Sequence, residues 1–327
     1  MAGFLLFILT AENFRTILPI NSTSTILTSE IINSVIQLFG ATLEDLRANM
    51  KEYHEVSENL FYTYNPINEK PFILHNNNLI CPVPLLAFWR FTSGLYYTIV
   101  SNENNFAEAF GNSFQNYIGS IINKCCSLPV FQIFPEEIYG NPEKRTTDWA
   151  ITSDNAVMFV ECKTKRMTIV SKASLEITTQ LQTDIRKLAE AVTQTYKTYI
   201  DYSNNLYPSL RFNNSLHFVP VVVTLEDWFI NINHVLMNIL TDAVRVEFER
   251  KHLDQNLLQT NPFYIRSASE FERDLQVISA LGIRNYFERI SNNTIQDYLG
   301  DFEYRDLFEG EFDRVFLDPL RESGLTV

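Results

Sequence analysis

The sequence predicts a mixed α/β protein of the α+β kind, with a mixed β-sheet flanked by helices. Three observations lead there. Two apolar strands, Trp149-Ala150-Ile151 and Val157-Met158-Phe159-Val160, surround a polar turn at Ser153-Asp154-Asn155. Apolar residues recur at helical spacing on both sides of that hairpin, over 105–127 and again from about Ala173 to Ser203. The β-branched run His217 to Thr224 (HFVPVVVT) then fits a buried strand beside the hairpin. Its Pro220 lacks an N–H and predicts an edge position or an irregularity there.

The N-terminal run Phe4 to Leu9 is too short to span a bilayer and reads as a buried strand. It also lacks the basic and small-residue flanks of a signal peptide, so no membrane or targeting segment is expected and a cytoplasmic location follows. A helix is expected over Ser29–Phe39, with Ser29 as its N-cap and Gly40 as its stop. A second begins at Thr42, with Glu44 and Asp45 in its first turn. Pro71–Leu74 and Leu79–Cys81 read as a hairpin around Asn76-Asn77-Asn78. Pro82 and Pro84 introduce a helix from about Leu85 to Val100, whose aromatic residues read as core. A strand is expected over Pro129–Phe134. Beyond Thr224, the pattern gives a helix from Trp228 to about Leu253, a last strand at Phe263-Tyr264-Ile265 and a helix over Ser267–Leu281. The remainder is acidic and aromatic, a segment that either closes over the core or docks a partner.

The chain has 327 residues and a net charge of −13, which argues against a surface that coats duplex nucleic acid. From Lys144 to Lys197, however, nine Lys or Arg face six Asp or Glu, a mildly basic island on an acidic protein. The four cysteines (Cys81, Cys125, Cys126 and Cys162) form no C-x-x-C pair and have no His at zinc-ligand spacing, so free thiols in a reducing compartment are expected. Phosphate-cradling glycine loops, the G-x-S-x-G elbow and H-E-x-x-H are all absent, which disfavours an ATPase, a dinucleotide enzyme and a zinc hydrolase.

Chemistry concentrates in Arg145 to Lys165. Side chains alternate along a strand, so Glu161 and Lys163 share a face and Cys162 points away. If Asp154-Asn155 is a two-residue loop, Ser153 pairs with Ala156 and Asp148 lands opposite Glu161. Opposed Cβ atoms lie roughly 4.5–5.5 Å apart. Two carboxylates at that range repel unless a cation lies between them, and oxygen ligands with open water positions suit Mg²⁺ or Mn²⁺. Asp148 and Glu161 are therefore the expected metal ligands. Lys163 would flank the ion, orienting a water or stabilising charge on a phosphate.

Asp148 followed by Glu161-Cys162-Lys163 resembles the PD-(D/E)xK nuclease superfamily, with its restriction-endonuclease-like fold. The resemblance covers roughly 105–225 as a core. It implies an N-terminal α/β addition over 1–104 and a C-terminal helical addition over 226–327. It implies a Mg²⁺- or Mn²⁺-dependent phosphodiesterase, an endonuclease acting on nucleic acid, with DNA favoured over RNA. The outline is similar to uncharacterised bacterial restriction-like nucleases, some of which serve in antiviral defence. Many members of the superfamily dimerise, so a homodimer or a partner protein subunit is compatible with it.

The helix before the hairpin in that superfamily often supplies one more acid, and here Gln115 stands in its place. Either Gln115 coordinates weakly, or the metal relies on Asp148 and Glu161, or another acid substitutes, Glu136 and Glu137 being the better placed. Gln194, with Tyr196 and Tyr199, looks like the site-proximal Gln and Tyr of the helix after E-x-K, without the usual spacing. The Gln at position 115 and the acidic charge also suit an alternative, a catalytically weak or inactive nuclease-fold subunit that binds a partner protein or nucleic acid.

Overall fold

A computed structural model of the protein describes residues 17–19, 28–54, 65–92, 94, 99, 106–127, 129–164, 179–228, 230 and 233–292. The architecture is mixed α/β, with parallel and antiparallel strands. Among the described residues no helix is long and apolar enough to cross a membrane. The expected strand at Phe4–Leu9 and the acidic aromatic segment beyond Asn292 lie outside the described residues, as does the start of the helical pattern expected from about Ala173.

The chain divides into two compact units, residues up to Ala107 falling in one and those from Glu108 on, among the described residues, in the other. In the first, β1 (Ile17–Pro19), β2 (Gly40–Thr42), β3 (Phe72–His75) and β4 (Asn78–Ile80) form a sheet in the order β1-β4-β3-β2. Helix α1 spans Ser29–Phe39, and its cap is Thr28, one residue ahead of the expected Ser29, accepting from the Ile31 N–H. Gly40 is needed at its end because a Cβ there would meet the Ile36 carbonyl oxygen at 2.7 Å. Helix α2 (Leu43–His54) starts from a reciprocal pair: the Asp45 N–H donates to Thr42 Oγ1 and the Thr42 N–H to Asp45. The β3–β4 turn places Asn76 and Asn77 at φ 45° and 61°, the left-handed pair a two-residue hairpin loop requires. Helix α3 is shorter than expected among the described residues, Pro84–Phe91. Ile32, Val35, Phe39, Phe72, Leu79 and Ala87 form the core of this unit.

The second unit is built on a five-stranded sheet in the order β11-β10-β9-β8-β5, flanked on both faces by helices. Its strands are β5 (Gln132–Pro135), β8 (Trp149–Thr152), β9 (Ala156–Lys163), β10 (His217–Thr224) and β11 (Tyr264–Ser267), with a small ribbon of β6 (Ile138–Tyr139) and β7 (Lys144–Arg145) between β5 and β8. Strands β5, β8 and β9 are antiparallel neighbours, whereas β9, β10 and β11 run parallel. The parallel crossover from β9 to β10 contains helix α5 (Thr179–Ser203). Helix α4 (Phe106–Cys125), α8 (Ala268–Leu281) and α9 (Ile283–Asn292) bury Ile118, Phe271 and Phe287 against Met158 and Val160. On the opposite face α5 and α6 (His234–Arg250) bury Val192, Tyr196 and Phe248 against Phe159 and Val222. Burial on both faces explains why β9 and β10 read as continuous apolar runs rather than alternating ones.

Two expectations for this second unit are corrected. Strand β10 is interior, not an edge. Its Pro220 is accommodated because pairing with β11 begins one residue later, at Val221. The helix expected from Trp228 starts at His234, where Asn233 accepts from the Val235 and Leu236 N–H groups. Trp228 lies buried ahead of it. A short helix α7 (Asn256–Thr260) precedes β11. Helix α8 opens with a capping box, Ser267 and Glu270 satisfying each other's backbone N–H. The four cysteines are free, and burial pushes the Cys126 thiol up to about 12.

Candidate functional site

The hairpin register follows the turn. The Ser153 N–H donates to the Ala156 carbonyl at 2.9 Å, leaving Asp154-Asn155 as the two-residue loop. Thr152 then pairs with Val157 and, three steps on, Trp149 with Val160. Asp148 takes the next place, opposite Glu161. There the main-chain ladder stops and the side chain continues it: the Cys162 N–H donates to Asp148 Oδ2 at 2.6 Å. Phe159 and Val157 face α5, while Met158 and Val160 face α4. By alternation Glu161 and Lys163 share the α5 side of the sheet.

The register of β5 adds a third acid. Pro135 pairs with Trp149, so Glu136 is the next residue opposite Asp148. Glu136, Asp148 and Glu161 thus form a row across three adjacent strands, one step beyond the apolar part of each. Glu137 is turned elsewhere: its carboxylate accepts from the Ser209 hydroxyl and N–H. Of the two acids expected to substitute for Gln115, Glu136 is the one aligned with the pair.

Exposure grades along this row. Glu161 is 7% exposed, whereas the Lys163 side chain is 39% exposed, so the site lies where the core opens to solvent. Lys163 Nζ donates to Glu161 Oε1 at 2.7 Å. Burial pushes the Glu161 carboxyl up to about 7; Lys163 opposes this, and the charges of Asp148 and Glu136 add to it. Burial likewise raises Asp148, against the Cys162 N–H and Lys163, which favour its charged form. For Lys163, burial works against the ammonium, but the two carboxylates outweigh it and its pKa is raised. The pair is therefore short of positive charge, with a single ammonium against two desolvated acids.

The two glutamines act at one remove. Gln115 lies on α4, where its backbone carbonyl accepts from the Trp149 indole N–H at 3.1 Å; no hydrogen bond joins its side chain to Asp148 or Glu161. Gln194 lies on α5 and donates from Nε2 to the Arg145 carbonyl at 3.2 Å, holding the strand that leads into Asp148 rather than an acid. The β6–β7 ribbon is tied to the same helix: Tyr139 donates to Asp201 at 2.6 Å and Lys144 pairs with it at 3.0 Å. Thr146 and Thr147 are buried, and the Thr146 N–H donates to the Glu137 carbonyl at 3.0 Å.

Gly119 completes the support of Asp148. A Cβ at this helix position would lie 2.1 Å from the ring of Trp149, so the bare backbone of α4 is what lets the indole pack there. Gly119→Ala is expected to destabilise the protein by about 1–3 kcal/mol through overpacking. It should also displace Trp149 and with it Asp148, seen as a lowered urea midpoint and altered tryptophan emission.

No family model matches the chain, and no curated protein does. Among solved structures the chain is similar to protein VC1899 from Vibrio cholerae at 11% identity and a TM-score of 0.26. That match takes in 87% of this chain and about half the length of the other.

Among the described residues no three His, Cys, Asp or Glu side chains converge closely enough to hold a metal ion as they stand. The donor set that fits a divalent cation is the Asp148 and Glu161 pair. Both would offer hard oxygens, which suit an ion such as Mg²⁺ that keeps several waters in its shell.

Proposed function

We propose that the chain is a divalent-metal-dependent phosphodiesterase of the PD-(D/E)xK type that cuts nucleic acid, DNA before RNA, in the cytoplasm. The observation that carries this reading is the opposed pair Asp148 and Glu161, desolvated at the mouth of a buried sheet with Lys163 beside them. Two desolvated carboxylates beside one ammonium leave negative charge that a divalent cation would offset.

Asp148 and Glu161 would hold Mg²⁺ or Mn²⁺, which when bound supplies Lewis-acid stabilisation of a phosphoryl oxygen. The Cys162 N–H fixes one oxygen of Asp148, and the other would be the one available to a cation. Glu161 is held by burial in the sheet. Lys163, whose ammonium lies beside Glu161 at 2.7 Å, would orient a water or offset charge on the phosphate. Trp149 and the α4 backbone keep Asp148 from drifting.

Purified protein incubated with plasmid, linear DNA and RNA in Mg²⁺ or Mn²⁺ tests this. Cleavage of DNA is expected, lost in chelator, and about 100-fold slower in Lys163→Ala. No cutting by the wild type, or equal cutting by Lys163→Ala, sinks the reading. A second reading, a nuclease-fold subunit without turnover, draws on Gln115, whose side chain has no hydrogen bond to the acids, and on the net charge of −13. It predicts no cleavage alone and activity or stable association only with a partner.

A further inference from the structure

We propose that Arg145 is the residue that takes a phosphate of the nucleic-acid strand at this site, its guanidinium leaving a loose ion pair with Glu136 as the strand arrives. The assignment rests on the phosphodiesterase reading and names the group that would position its substrate.

Arg145 ends β7, three residues ahead of Asp148. Its backbone is held: the carbonyl accepts from Gln194, and the next residue is locked to Glu137 by two hydrogen bonds, Thr146 N–H to the Glu137 carbonyl and Glu137 N–H to Thr146 Oγ1. Its side chain is not buried with it, being 59% exposed. The guanidinium stands 3.6 Å from Glu136, the outer acid of the row, and 4.0 Å from Glu143, both beyond hydrogen-bond length. Neighbouring cations are more firmly committed: Lys144 pairs with Asp201 at 3.0 Å and Lys163 with Glu161 at 2.7 Å. Arg145 is thus a rigidly mounted, solvent-facing fork beside the acids, loosely paired.

A guanidinium matches a phosphodiester through two parallel N–H···O bonds, which the Glu136 carboxylate at 3.6 Å does not use. On an acidic protein, one well-placed phosphate contact beside the cation site gives a strand its position without a basic surface. Glu136 competes for the guanidinium, and its charge also works against an approaching phosphate.

The test is binding of a fluorescein-labelled DNA duplex, and of its single strand, to the full chain in Ca²⁺, read by anisotropy over a range of salt. Arg145→Gln is expected to weaken binding about tenfold and to lower the slope of log affinity against log salt by about one. Arg145→Lys should restore the slope and part of the affinity. Glu136→Gln should strengthen binding severalfold, the opposite sign to Arg145→Gln. A merely structural ion pair would move both variants in one direction, with matching losses in melting temperature, and that overturns the assignment. So does wild-type affinity and slope in Arg145→Gln, or no binding of either strand by the wild type. If the wild type cuts DNA while Arg145→Gln binds normally, this assignment fails and the phosphodiesterase reading stands. If Arg145→Gln loses binding but the wild type never cuts, the reading fails and the phosphate contact stands.

Discussion

Asp148→Asn is expected to lower metal-dependent DNA cleavage about 1,000-fold or more while leaving the fold intact. The asparagine amide oxygen can still accept from the Cys162 N–H, the bond that ties the start of β8 to β9. What it loses is charge, and a neutral amide is a poor ligand for a hard cation. Asp148 is only partly exposed and burial already disfavours its charged form, so removing the charge should not destabilise the apo protein. The expected pattern is a urea midpoint at or above that of the wild type, lost cleavage and weakened Mn²⁺ binding by calorimetry. Cleavage within tenfold of the wild type would remove Asp148 from the site. A collapsed urea midpoint would instead make it a structural residue.

The second large effect concerns pH. Glu161 has a carboxyl pushed up from 4.5 to about 7 by burial, so its protonated form is the one the fold prefers. The unfolded chain releases that proton near pH 4.5, the folded one near pH 7. The stabilisation is therefore fully present below about pH 4.5 and is lost as pH rises through about 7, a change of roughly 3 kcal/mol. The raised pKa of Lys163 keeps its ammonium charged throughout this range and does not reverse the sign. In chelator, the wild type should be less stable at pH 8 than at pH 5. Glu161→Gln, which cannot ionise, should show a smaller change and be the more stable of the two at pH 8. A divalent cation should then raise the melting temperature of the wild type more at pH 8 than at pH 5, because binding requires the carboxylate, and do little for Glu161→Gln. Equal shifts in the two proteins would mean that the cation binds elsewhere.

The hairpin was the most legible part of the site because its information is local. A two-residue polar loop and strict alternation leave one register, and Asp148 opposite Glu161 follows by counting. The long helix α5 and the strand His217–Thr224 were legible for a similar reason, as uninterrupted apolar periods bounded by polar residues. Pro220 reads as an edge position or an irregularity, and of the two the edge position fails, because the absence of a backbone donor says only that one bond is missing. It does not say how far the neighbouring strand extends, and β11 starts one residue past the proline. Gln194 was legible as a polar residue late in α5, but its partner, the Arg145 carbonyl, was not, since nothing in either segment announces the other.

From the sequence alone came the apolar hairpin, the acid at each side of its open end, the lysine on the glutamate's face and the alternation of helix and strand around them. Only the tertiary structure decided that β5 pairs with β8 in the register that brings Glu136 into line, that Glu137 turns to Ser209, and that Gly119 makes room for Trp149. The physical reason is range: alternation and turn geometry act over a few neighbouring residues, whereas strand pairing across the excursion from Glu136 to Thr147, and the fit of an indole against a helix backbone, are set by packing between segments that the chain itself does not juxtapose.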